Sequence, residues 1–162
     1  MANTPIVDSL KLARDRQQLT GVVAVASLPR LVQSLYASTG SLDYAISGDC
    51  DGRERPLLRF RVNGTVELQC QRCLEAMAHE LRIESVVRLV AAEVLETEYE
   101  AIGSNPDEPD CIAASKTLDV VMLVEDEVLL ALPPFPRHDV AQCKGKVDAA
   151  LKTGEVVNPF AH

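Results

Sequence analysis

Between Leu57 and Cys70 the chain alternates without a break. Leu58, Phe60, Val62, Gly64, Val66, Leu68 and Cys70 hold the even positions, and Arg59, Arg61, Asn63, Thr65, Glu67 and Gln69 the odd ones. A period of two sustained this far specifies one long β-strand with a buried even face and a wet odd face. Asn63-Gly64 could instead open a tight hairpin. That loop would set Val62 opposite Thr65 and Phe60 opposite Glu67, mixing apolar and polar side chains on each face. The continuous strand keeps them apart, and Gly64 is then expected to mark a bulge or bend.

Alternation resumes further on, where Leu81, Ile83, Val87 and Leu89 oppose Glu80, Arg82, Glu84 and Arg88. The two stretches predict an antiparallel pair carrying Cys70-Gln71-Arg72-Cys73 at its connecting end. Upstream, residues 21–27 read as a buried strand, 30–37 as a short helix and 42–47 as a strand. Downstream, Asp119 should cap a helix over 120–132 that Pro133-Pro134 ends. Glu125, Asp126 and Glu127 are expected to form a solvated face of that helix, because three adjacent positions do not converge on one ion. Residues 96–115, rich in Glu and Asp with Pro106 and Pro109, read as an exposed acidic loop, and 145–162 as a flexible tail.

The fold class is therefore α+β: one domain over 1–162, with a predominantly antiparallel sheet of long strands and a few short helices. No G-x-x-x-x-G-K-[ST] or G-x-G-x-x-G motif occurs, which argues against a doubly wound nucleotide binder and leaves no small-molecule substrate to propose. The first ten residues have neither a basic start nor an apolar run, and no stretch is long enough for a membrane span, so a cytoplasmic address without membrane contact is expected.

The net charge is −8, which disfavours indiscriminate nucleic-acid binding by the whole surface. The charge is unevenly spread. Residues 1–90 carry eleven Lys and Arg against ten Asp and Glu, whereas residues 91–162 carry five against fourteen.

Three stretches in order are similar to a known family. They are Gly64-Thr-Val-Glu-Leu-Gln-Cys-Gln-Arg-Cys-Leu-Glu75, then Leu118 to Pro133 running on to Pro136-Arg-His138, then Asn158-Pro-Phe-Ala161. Together with Gly21 and Leu28-Pro-Arg-Leu31, they resemble the YceD family, implicated in accumulation of large-subunit ribosomal RNA. The resemblance implies a ribosome-biogenesis factor that supports synthesis, processing or stability of that RNA. Its partner would be large-subunit rRNA or a ribosomal protein.

Cys70 and Cys73 have the spacing with which two thiolates grip one tetrahedral ion from a tight turn. The second half of such a site would be His138 and Cys143, which would make Cys70, Cys73, His138 and Cys143 a structural zinc set. The alternative is four partly buried side chains without metal. A disulfide framework does not suit five cysteines in a reducing compartment. A redox pair does not suit a C-x-x-C outside a strand-helix-strand unit.

No convergent carboxylates and no Ser/His/Asp or Cys/His/Asn arrangement can be argued from spacing, so no enzyme is expected. An RNA-processing enzyme is the disfavoured alternative, and a chaperone whose acidic half shields a basic ribosomal protein is another. Arg59, Arg61, Arg72, Arg82 and Arg88 are the candidate RNA contacts, since guanidinium forks suit phosphate. Composition alone favours reading them as cross-strand partners of Glu67, Glu80 and Glu84 on a solvated face, and the resemblance brings the RNA reading level with it.

Overall fold

In the computed structural model, which describes residues 4–103 and 105–143, β4 (Pro56–Gln69) and β5 (Ala76–Val90) dominate the molecule. They pair antiparallel in continuous register from Leu57↔Arg88 to Gln69↔Ala76. β4 runs straight through Asn63-Gly64, with its even side chains from Leu58 to Leu68 facing the core and Gly64 among them. Gly64 is neither a bulge nor a bend, because its pairing with Leu42 and Leu81 is unbroken. A Cβ there would lie 2.5 Å from Leu42 Cδ2 and 3.0 Å from Ser41 O, so the glycine lets the neighbouring strand approach.

The preceding elements are β1 (Ile6–Val7), α1 (Ser9–Arg14), β2 (Gln18–Ala24), α2 (Pro29–Val32) and β3 (Ser41–Cys50). After β5 come α3 (Leu95–Ile102), β6 (Asp110–Ala113), β7 (Leu118–Asp119) and α4 (Val120–Ala131). The main sheet has the order β2-β3-β4-β5-β6, antiparallel except for the parallel β5-β6 pair. β1 and β7 form a separate small pair. This is a single α+β domain built on a mostly antiparallel sheet. Among the described residues no helix is long and apolar enough to cross a membrane.

One face of the sheet packs on α1, α2 and α4. The inward stripe of α4, formed by Val120, Leu123, Val124 and Val128, recurs at helical spacing and joins Leu58, Phe60, Val62, Leu81 and Ile83 in one core. Asp119 caps α4 as expected, accepting a hydrogen bond from Met122 N at 3.0 Å.

Four further expectations are corrected here. The strand expected over 21–27 runs from Gln18 to Ala24 and forms the sheet edge, where Val22 is exposed rather than buried. The helix expected over 30–37 stops at Val32. Residues 96–115 are not a loop: α3 and β6 occupy most of them, and β6 extends the sheet through Leu89↔Ile112.

The acidic triplet of α4 is not a solvated face either. Glu125 is only 3 % exposed. Its Oε1 accepts hydrogen bonds from Arg30 N at 2.7 Å and Leu31 N at 3.0 Å, and its Oε2 accepts from Arg30 Nε at 3.0 Å. The start of α2 needs this partner, because Leu28 offers no capping oxygen. Asp126 pairs with Arg30 at 2.6 Å, and Glu127 accepts from Ser85 Oγ at 2.6 Å.

Candidate metal centre

The long strands deliver the C-x-x-C to one end of the sheet. There the chain reverses in a tight knuckle, in which Leu74 N donates to Cys70 O and Cys70 N donates to Glu75 O, both at 2.9 Å. Leu74 sits at φ 60°, a left-handed conformation that closes the turn at a steric cost for a non-glycine residue.

The second half arrives from the other side of the core. Once α4 ends, Pro133-Pro134 prevents the helix from continuing, and residues 135–143 run past the knuckle. Gln71 N donates to Pro136 O at 2.9 Å and fastens the two segments together.

This convergence brings Cys70, Cys73, His138 and Cys143 together, with their ligand atoms all within 4.8 Å of one another. Cys70 Sγ lies 3.9 Å from Cys143 Sγ, and Cys73 Sγ lies 3.3 Å from His138 Nδ1. Tetrahedral bonds of about 2.3 Å to sulfur give an edge of about 3.8 Å between sulfurs, so the spacing is compatible with a metal ion at the centre. The orientation of His138 agrees: its Nε2 lies 3.1 Å from Ala76 O. A proton on Nε2 donated to that carbonyl leaves Nδ1 as the lone pair facing the sulfurs.

The local electrostatics of Cys70 and Cys73 suit a cation between them. Burial alone would raise the Cys70 thiol pKa, yet the N–H groups of Cys73, His138 and Arg72 point at its sulfur. The outcome is a pKa lowered to about 5. At Cys73 the Glu75 N–H lowers the pKa, but burial and the sulfurs of Cys70 and Cys143 outweigh it and push the thiol up. One sulfur is thus readily ionised, and it disfavours ionisation of its neighbour. A divalent cation removes this conflict.

The five candidate arginines are scattered. Arg59, Arg61 and Arg82 stand on the open face of the sheet, each already engaged by a carboxylate: Asp49 at 3.1 Å, Glu84 at 3.0 Å and Glu80 at 2.7 Å. Arg88 is not on the wet surface. It points to the same side of the sheet, but α3 roofs that end, leaving Arg88 7 % exposed with its NH2 2.6 Å from Glu98 Oε2. Arg72 is exposed in the knuckle beside the cluster, and among the described residues it has no carboxylate partner within 4.0 Å.

Arg137, next to His138, is a cation that the periodic patterns do not reveal. Its signal is a local echo: Gln71-Arg72-Cys73 and Pro136-Arg137-His138 each place an arginine directly before a cluster residue. The carbonyl of Ala76, which orients His138, has no sequence signal at all.

A family model described as large ribosomal RNA subunit accumulation protein YceD matches residues 58–160, a span that includes all four cluster residues. The chain is 30% identical to the large ribosomal RNA subunit accumulation protein YceD of Haemophilus influenzae, over 96% of this chain and 90% of that protein. No solved structure gives a significant match.

Proposed function

Because this chain belongs to the YceD family, we propose that it is a non-enzymatic, cytoplasmic factor that supports accumulation of large-subunit rRNA, binding the RNA or a ribosomal protein through a zinc-fastened fold. The observation that carries the reading is the convergence of Cys70, Cys73, His138 and Cys143 within 4.8 Å. Three thiolates and one imidazole fill a tetrahedral zinc site. A filled site has no open position for a catalytic water, so the metal's role is structural.

Zinc would tie the β4-β5 connection to the segment after α4. Those segments are 65 residues apart in sequence at Cys73 and His138, and closing so long a loop is where a metal clip stabilises most.

The test is complementation. In a bacterial strain lacking its own family member, the intact chain restores the ratio of large- to small-subunit rRNA, whereas a Cys70→Ser/Cys73→Ser chain does not. An unchanged rRNA ratio in the deletion strain itself would refute the functional reading.

A specific observation favours a second partner class. Glu96 and Glu100 on α3 are exposed and form no ion pair among the described residues, which suits capture of a basic ribosomal protein. Neutralising them tests that reading separately.

A further inference from the structure

We infer that the RNA-facing surface lies at the knuckle end of the molecule, where Arg72, Leu74, Phe135 and Arg137 form a docking surface for single-stranded RNA. This rests on the reading above that the protein acts on large-subunit rRNA.

The state of the guanidiniums decides between the two possible surfaces. On the open sheet face a phosphate must first break an ion pair at each arginine: Arg59 with Asp49, Arg61 with Glu84, Arg82 with Glu80. Arg72 and Arg137 are exposed and make no such pair among the described residues, although Glu75 and Asp139 stand near them in sequence. Their donor forks are available to phosphate without that cost.

The backbone segments that carry the two arginines are also held side by side. Gln71 N is bonded to Pro136 O, and Cys73 faces His138, so the residues between these contacts run together. The contacts that gather the cluster therefore also bring together the segments bearing the two cations.

Single-stranded RNA also requires a surface on which an unstacked base can rest, and the strands that carry Arg59, Arg61 and Arg82 have no exposed aromatic residue. The knuckle end has one. Phe135 is 68 % exposed directly before Pro136, and Leu74, at the strained tip of the knuckle, is 62 % exposed. Leu74 lies two residues from Arg72 and Phe135 two residues from Arg137, so the apolar and cationic groups share the same pair of segments. Phosphates on Arg72 and Arg137, with a base against Phe135, use every one of these features. A double helix offers no free base face, so it gains only the phosphate contacts.

Fluorescence anisotropy tests this with a labelled single-stranded RNA of large-subunit sequence and a duplex of the same length, titrated at several salt concentrations. The variants are Arg72→Ala/Arg137→Ala, Phe135→Ala and, as the competing surface, Arg59→Glu/Arg61→Glu. Zinc content and melting curves establish that each is folded, and Arg72→Lys/Arg137→Lys separates charge from fork geometry.

The expected result is a loss of about tenfold or more for Phe135→Ala on single strands only. The Arg72/Arg137 pair should flatten the salt slope by about 1.4 units, with the sheet-face variant unchanged. If the parent binds RNA and only the sheet-face variant weakens it, the surface is misplaced while the functional reading stands. If the parent binds no RNA but retains a ribosomal protein, the RNA surface is overturned, again without touching the rRNA-accumulation reading.

Discussion

His138 is held between the two ends of the knuckle: its Nδ1 lies 3.3 Å from Cys73 Sγ, and its Nε2 lies 3.1 Å from Ala76 O. An imidazole fixed at both nitrogens has one tautomer and one orientation, and here both present a lone pair to the sulfur cluster. The residue that completes the site is thus positioned by the backbone of β5, the strand that begins where the knuckle ends.

Removing either ligand of the second half of the cluster should release the metal. Cys143→Ser and His138→Ala are each expected to lower bound zinc from one ion per chain to well below stoichiometry and to lower the melting temperature. A strong chelator should bring the parent toward the same melting curve, because metal affinity is folding free energy in a clip of this kind. Metal analysis and thermal denaturation of the three proteins check this. Full zinc retention by either variant would remove that residue from the ligand set.

One thiolate should survive mild acid in the metal-free protein. The Cys70 thiol is lowered to about 5, against an unfolded value near 8.5, so the fold favours its thiolate. The stability this supplies is fully present above the unfolded value, declines below it and is lost as pH falls through about 5. Thiolate absorbance of the chelator-treated protein, followed from pH 8 to pH 4, should therefore show one thiolate that persists until the approach to pH 5. Loss of all thiolate absorbance above about pH 6.5 would contradict the depressed thiol.

Glu125→Ala should be among the most damaging substitutions outside the metal cluster. It strands the Arg30 and Leu31 N–H groups at the start of α2, one of them buried, and removes the carboxylate that draws α4 onto α2. The expected loss is about 2–3 kcal/mol in urea denaturation. Glu125→Gln keeps an acceptor oxygen and should lose less. Equal losses for the two would mean that charge rather than hydrogen bonding at Oε1 is what matters.

The legibility of this fold follows from the range of the forces involved. β4, β5 and α4 were readable because their burial repeats locally, at two residues for Leu58 to Leu68 and at helical spacing for Val120 to Val128. The convergence of Cys70, Cys73, His138 and Cys143 was readable because ligand chemistry restricts such sets to a few residue types at short spacings. What escaped depends on partners distant in sequence. Glu125 looked solvated because its partners, Arg30 and Leu31, lie on another helix. Arg88 fitted the wet alternation of β5, and only the packing of α3 across that end buries it. α3 itself was hidden by its acidic composition, and it buries none of its residues. Gly64 was expected to mark a bulge or bend and does neither, because its cause lies in the close approach of Leu42 and Ser41 on the next strand.

X-ray absorption at the zinc edge, on protein purified without chelator, tests the central claim most directly. The account predicts a first shell of three sulfurs at about 2.3 Å and one nitrogen at about 2.0 Å, with one zinc per chain. A zinc-free protein with an intact melting transition, or a shell dominated by oxygen, would contradict it.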